Sequence, residues 1–135
     1  MAGENALPIT ECPDLVCHYV SVICQGDGSG NVSNDQLLFY CERDTIVEAG
    51  WIRAEEGDAD ASYQLKASAS GTAAGSGTAI SDALVALVTA TTKEWTMTTT
   101  ANIVPAGSHI CLDIATAAST AFRTNITLRL RTRIR

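Results

Sequence analysis

Two histidines are the side chains of this sequence best suited to acid–base chemistry. His18 lies inside an apolar stretch and His109 at the start of another, and each could serve as a general base. A histidine within a strand is far more often packed or solvated than catalytic, and the sequence holds no phosphate-binding loop, nucleophile elbow or zinc-protease motif. We therefore predict no catalytic residues and no enzyme activity, because a small hydrolase has no supporting set of side chains here.

Two groups of side chains could bind a metal ion. Cys12, Cys17, His18 and Cys24 lie close together in the sequence, and four carboxylates lie at positions 55–60. The cysteine spacing fits no zinc site, and Cys17 and Cys24 fall on opposite faces of a predicted strand, so structural buried thiols are favoured. The acidic segment lacks the spacing of an EF-hand and is more typical of a solvated hairpin tip. We expect no metal and no cofactor.

Arginines recur at every second position at the end of the chain, and this is the one charge pattern of the sequence that could form a binding surface. Arg129, Arg131, Arg133 and Arg135 occupy every second position, which on a strand forms a row about 20 Å long on one face. The row is either an exposed face whose side-chain stems shield the sheet, or a ladder that pairs with carboxylates of a neighbouring subunit or partner surface. Both interpretations fit the sequence equally well.

The formal charge is unevenly distributed along the chain. Residues 1–122 hold all 15 acidic residues and four basic ones, a net charge of −11, whereas residues 123–135 hold five arginines and no acid. An acidic body argues against direct nucleic-acid binding, which needs a basic domain or face. The distribution suits docking onto a protein surface of mixed charge.

The cysteine count and the apolar runs indicate the compartment. The five cysteines are an odd number, and the first residues lack the basic and apolar regions of a secretory signal, so we expect reduced thiols and synthesis in a cytoplasm. No apolar run reaches the roughly 18 to 20 residues of a membrane helix. We expect a soluble protein with no membrane contact.

Alternating segments near the end of the chain must position these side chains. Residues 110–114 and 126–134 place apolar side chains on one face and polar ones on the other, as half-buried antiparallel strands of a sandwich do. Residues 15–24 are apolar on both faces, which is typical of a central strand. Gly50 in mid-strand indicates a bulge or a close backbone approach, and residues 80–88 predict a short helical turn or an irregular strand.

Turn spacing and chain length give the fold class. About eight strands are predicted, so we expect an all-β protein with an antiparallel β-sandwich or jelly roll, at most a short helical turn and an extended N-terminal arm. We assign residues 1–13 to the arm, with Leu7 and Ile9 as its main apolar groups, and residues 14–135 to one domain. Because 36 of the 135 positions are Ala or Thr, the core is thin, and subunit contacts should contribute stability.

The order of several segments forms a pattern known from one family. The segments are a strand with Trp51 (46–54), a Tyr-Gln-Leu-Lys strand (63–66), a Gly/Ala/Ser/Thr loop (71–77), Ala-Ile-Ser (79–81), Trp-Thr-Met-Thr (95–98), Val-Pro-Ala-Gly-Ser-His-Ile-Cys-Leu-Asp-Ile (104–114) and a last alternating strand. Over residues 45–135 this pattern resembles the small jelly-roll decoration, or cement, proteins of tailed bacteriophage heads. Members often have an acid where this chain has Ser108, and residues 1–44 have no counterpart.

The resemblance implies a structural virion protein. Such proteins are homotrimers that bind the major capsid protein on the outer surface of the icosahedral shell and bridge its capsomers, after synthesis in the bacterial host's cytoplasm. The alternative is a receptor- or glycan-binding module of a head or tail fibre, which would need aromatic platforms in loops, whereas Trp51 and Trp95 lie in predicted strands. The expected interface residues are Arg129, Arg131, Arg133, Arg135, Leu7 and Ile9.

Overall fold

A computed structural model describes residues 15–25, 35–55, 57–116 and 123–133. These residues form nine strands and a three-residue 3₁₀ helix, Ala74–Ser76. The strands are β1 Leu15–Gln25, β2 Gln36–Cys41, β3 Thr45–Ala54, β4 Asp58–Ser68, β5 Thr78–Leu87, β6 Thr92–Glu94, β7 Ile103–Val104, β8 Ser108–Thr116 and β9 Arg123–Arg133. The all-β sandwich is confirmed; the predicted arm, with Leu7 and Ile9, lies outside the described residues. Within them, no helix has the length and hydropathy of a membrane span.

The strands form two antiparallel sheets that pack face to face. One sheet has the order β1-β9-β3-β6, with β7 pairing with the other end of β3, and the second has the order β2-β8-β4-β5. The two C-terminal strands, β8 and β9, do not pair with each other, because each lies at an inner position of a different sheet. Their apolar faces still meet in one core.

The core forms where the alternation of the sequence places apolar side chains. Ile126, Leu128 and Leu130 of β9 are fully buried, and so are Ile110 and Leu112 of β8. Because β9 is hydrogen-bonded on both sides, its register fixes which side chains point into the core and leaves the arginines on the outer face.

Strand β3 departs from the predicted alternation. Its register against β9 shifts between Val47 and Ala49, so Val47 and Ile52 point into the core while Glu48 and Trp51 lie on the outer face. Simple alternation would place Val47 and Trp51 on one face, but the bulge inserts an extra residue between them. The close approach expected at Gly50 is confirmed: a Cβ there would lie 3.0 Å from Leu65 Cδ1.

One side of the sandwich is closed by a segment that crosses between the sheets. Strand β6 ends at Glu94, so Trp95 follows the strand and does not lie in it as predicted. Trp95 N donates to Gly50 O of β3, while Thr98 N donates to Ile80 O of β5. Residues 80–87 belong to β5, an irregular strand that includes Ala86 with a positive φ of 57°. The irregular-strand alternative is therefore correct.

The opposite side of the sandwich is open in the described part of the chain. Here β1 and β2 are the edge strands of their sheets. The prediction that residues 15–24 form a central strand is wrong, since β1 pairs only with β9 among the described strands. The face of β1 that points away from the core is also apolar and is exposed to solvent: Tyr19 is 63% and Ile23 57% exposed.

Candidate interaction surface

The arginine row lies on the outer face of the five-stranded sheet, as the alternation predicts. Arg129, Arg131 and Arg133 extend from β9, whose neighbours are β1 and β3. Two of the three contact the same carboxylate of β3: Arg131 Nε donates to Glu48 Oε1 at 2.6 Å, and Arg129 Nε lies 3.2 Å from Glu48 Oε2. Arg133 Nη1 lies 3.8 Å from Asp44 Oδ2, and Arg135 is outside the described residues.

The ion pairs leave this part of the sheet surface positively charged. Glu48 supplies one negative charge between two guanidinium groups, and both arginines are partly exposed. The positive charge of the row is therefore only partly neutralised, and a carboxylate of a partner can still add a favourable contact. The sequence did not show which carboxylates the arginines contact. In the structure two of these carboxylates, Glu48 and Asp44, belong to the same chain.

Aromatic and aliphatic side chains flank the arginines on both sides. Tyr19 of β1 pairs across from Arg129, whose guanidinium carbon lies 5.8 Å from the ring centre of the half-buried Trp51 on β3. Ile23 of β1 and Ile103 of β7 are exposed. We call this outer surface of β1, β9, β3 and β7 the arginine face. Arginine, tryptophan and tyrosine are the residue types enriched where protein interfaces concentrate their binding energy.

A cleft of about 540 Å³ opens between the edge strands β1 and β2. His18 lies in its wall, where its Nε2 is 2.8 Å from Thr132 Oγ1, and that hydroxyl lies 3.4 Å from Thr45 Oγ1. These contacts link β1, β9 and β3. His109 instead packs against Tyr40 with the rings tilted and their centroids 5.0 Å apart, while His18 contacts Phe39 on the other side of β2. The two histidines therefore do not share a pocket.

Comparison with known proteins shows a likeness of fold. No protein-family model and no curated protein matches this sequence. A chain of the structure described as "Cyanophage Pam1 capsid asymmetric unit" superposes on this chain with a TM-score of 0.50 at 15% identity, covering 88% of this chain and 85% of that chain. The likeness is one of fold. It is consistent with the β-sandwich and carries no residue of the arginine face across.

Sequence reasoning missed the two carboxylates that organise the arginine face. Glu48 and Asp44 lie more than 80 residues before the arginines, and only the pairing of β3 with β9 brings them together. The signal for Glu48 was a single acid inside a largely apolar strand. The bulge after Val47 hid its direction, because it shifts the alternation by one residue.

The cysteines of the described region occupy different environments. Cys17 is exposed on the outer face of β1, whereas Cys24, Cys41 and Cys111 are buried free thiols. Cys24 follows the expected structural role, and Cys17 does not. Burial raises the pKa of all three buried thiols; for Cys111, burial and then the negative charge of Asp35 raise the pKa to about 11.

We expect alkylation to distinguish these thiols. At pH 8 iodoacetamide should modify Cys17 readily, and Cys111 at least about a hundredfold more slowly, because a raised pKa and burial leave little accessible thiolate. Residue-resolved mass spectrometry measures both rates. Equal rates at Cys17 and Cys111 would contradict the packing of β8.

The same pKa shifts predict a loss of stability in alkali. Since the folded-state pKa values lie above those of the unfolded chain, the contribution of the buried thiols is complete below about pH 9. It should decrease as the pH rises towards 11, where the unfolded chain releases protons that the folded chain retains. Urea unfolding at pH 8 and at pH 10 tests this, and a Cys111→Ser variant should show a smaller decrease.

Proposed function

We propose that this protein is a structural component of a tailed-phage head that decorates the outer surface of the icosahedral capsid as a homotrimer. In this role it binds the major capsid protein, bridges neighbouring capsomers and stabilises the shell. The sandwich fold, shared with a chain of a cyanophage capsid, supports a place in the virion. The order of segments that resembles decoration proteins supports the more specific role.

The arginine face is the observation that carries the proposal. A sheet surface with Arg129, Arg131 and Arg133 on the strand between those of Tyr19 and Trp51 has the composition of a protein interface rather than of a solvated strand. The rest of the chain is acidic, so a neighbouring copy offers carboxylates to this face. A contact between two different patches repeats around a rotation axis and can close as a ring of three. Leu7, Ile9 and Arg135 complete the proposed interface.

The mechanism is thermodynamic. A protein that binds the assembled lattice and not its free subunits shifts the equilibrium towards the closed shell by mass action. Bridging two capsomers also makes the second contact intramolecular, so that modest single contacts give tight attachment. Shell stability should therefore rise with the occupancy of the decorating sites.

The test measures mass and capsid binding. Analytical ultracentrifugation should give a mass that is three times the chain mass of 14.2 kDa or a whole multiple of that value, and the protein should sediment with emptied, expanded heads of its parent phage in a salt-sensitive manner. An Arg129→Gln/Arg133→Gln variant should bind at least about tenfold more weakly, because charged groups at an interface are costly to truncate.

Arg123→Gln is the matched control for that variant. It removes one arginine charge from the same strand, six residues from Arg129 and so about 20 Å along β9. We expect binding within about twofold of wild type. A monomer that never sediments with heads, or an equal loss in the control, contradicts the proposal.

One observation favours a second candidate function, that of a receptor- or glycan-binding module. Trp95 is buried in the core, whereas Trp51 lies half-buried on the arginine face, the same surface as the exposed Tyr19. Aromatic side chains on an open sheet can stack on sugar rings. Specific hits on a glycan array that disappear in a Trp51→Ala variant would favour this function over capsid decoration.

A further inference from the structure

Strand β1 has the sequence of a central strand in the position of an edge strand. Its eleven residues, LVCHYVSVICQ, include no Lys, Arg, Asp, Glu or Pro and are apolar on both faces. All eleven pair with β9, and none of the described residues pairs with the other edge of β1. Natural sheets avoid long, flat, apolar edges of this kind, because exposed N–H and C=O groups bind further strands.

The other edges of the sandwich all carry a protecting feature. Strand β2 has six residues and a register shift, β6 has three residues of which two are charged, and β5 is bridged by the segment after β6. Bulges, short length, charge and coverage are the usual means by which edges are blocked. Among the described strands, β1 is the edge that has none of them.

We propose that β1 pairs antiparallel with β1 of a second copy of this chain, so that the two five-stranded sheets become continuous. A twofold axis perpendicular to the sheet makes identical strands antiparallel, and such a contact uses the same residues on both copies. With the axis at Val20, the middle of the strand, Tyr19 faces the partner's Ser21 and Cys17 faces the partner's Ile23. Apolar groups exposed on a single copy are then covered.

The charge pattern identifies a second copy as the occupant. Six of the nine strands carry charged residues, so pairing one of them with the open edge of β1 would place a charged side chain beside an uncharged one. Two copies of β1 place only uncharged side chains and His18 opposite one another. The pairing is therefore self-complementary, and it requires no ion pairs that salt would screen.

The contact is distinct from the proposed trimer and does not depend on it. The arginine face is a sheet surface, whereas this contact uses the backbone edge of β1. A twofold contact closes at two copies, so in a trimeric protein it would join two trimers across a twofold axis. One measurement therefore shows whether the chain forms trimers, and a second shows whether the number of copies doubles through β1.

Amide hydrogen exchange against protein concentration is the direct test. In an antiparallel pair only alternate β1 amides bond to β9, and the others point to the open edge. Above the dissociation constant the free fraction falls with the square root of concentration, so a hundredfold rise should slow exchange of the edge amides about tenfold. The amides bonded to β9 provide an internal reference.

Substitutions on β1 and on β5 distinguish strand pairing through β1 from nonspecific association. Tyr19→Lys/Ile23→Lys should abolish the concentration dependence of edge-amide exchange, because lysine on an edge blocks pairing and the side chains introduced at position 19 of the two copies would lie about 7 Å apart diagonally. Tyr19 and Ile23 also belong to the arginine face, so Arg129→Gln/Arg133→Gln, which changes that face and not the edge of β1, should keep the concentration dependence. The control, Val85→Lys, changes a residue 57% exposed on the bridged edge strand β5 and should leave the mass unchanged.

Three outcomes would overturn the proposal. Edge amides of β1 that exchange rapidly at every concentration show an edge that stays open. Protection that is independent of concentration shows that the chain covers its own edge. A mass that doubles without protection of β1 places the contact elsewhere. Because the exchange experiment uses the wild-type protein, it decides the matter even if the lysine variant does not fold.

Discussion

Replacing Leu128 with alanine should lower the free energy of unfolding by about 3 kcal/mol, within the range of roughly 2 to 5 kcal/mol for buried leucines. Leu128 is fully buried on β9, and its Cδ2 lies 3.2 Å from the position that a Cβ on Gly50 would occupy. Strands β1 and β3 hold β9 on both sides, so the backbone cannot move to fill the cavity. A core poor in aromatic residues offers few large side chains to repack into the space.

Urea unfolding followed by tryptophan fluorescence measures this loss, since Trp95 is buried beside Leu128 near Gly50. Leu37→Ala is the matched control: it removes the same atoms from a side chain 62% exposed on β2 and should cost less than about 0.5 kcal/mol. Both variants should be measured at several protein concentrations, because association also adds stability. Similar losses for the two variants would contradict the inner position of β9.

The sequence predicts the fold best where one face is clearly apolar. The alternation in β8 and β9 fixes the direction of every second side chain, and the structure buries Leu112 and Leu128 as predicted. The sequence fails at β3 and β1 for two different physical reasons. A bulge in β3 changes the alternation without changing the composition, and the apolar outer face of β1 does not reveal whether protein or solvent lies beyond it.

The candidate site shows a similar division between local and long-range information. Local periodicity is enough to place Arg129, Arg131 and Arg133 on one face of a strand. It does not identify Glu48 or Trp51 as their neighbours, because this requires the order of strands in the sheet and the bulge in β3. The predicted interface residues Leu7, Ile9 and Arg135 lie outside the described residues and remain predictions.

The second sheet contains an ion pair whose loss should be nearly as costly as that of Leu128. Lys66 Nζ lies 2.6 Å from Asp113 Oδ2, and the two side chains are only 16% and 13% exposed. The same ammonium donates to Gly75 O at 2.7 Å, which attaches the 3₁₀ segment to β4. Nearby, Asp35 Oδ1 accepts a hydrogen bond from Ile114 N at 3.0 Å. Without Lys66, two carboxylates would share one end of the sheet without a cation between them.

Lys66→Met should therefore lower the free energy of unfolding by about 3 kcal/mol, because it leaves the Asp113 carboxylate largely buried and unpaired. The double variant Lys66→Met/Asp113→Leu should recover most of this loss, since replacing both partners of a buried pair by apolar groups is often close to neutral. Urea unfolding of the two single variants and the double variant gives the coupling energy directly. If the single and double variants lose the same free energy, the lysine acts through its bond to Gly75 and not through the aspartate.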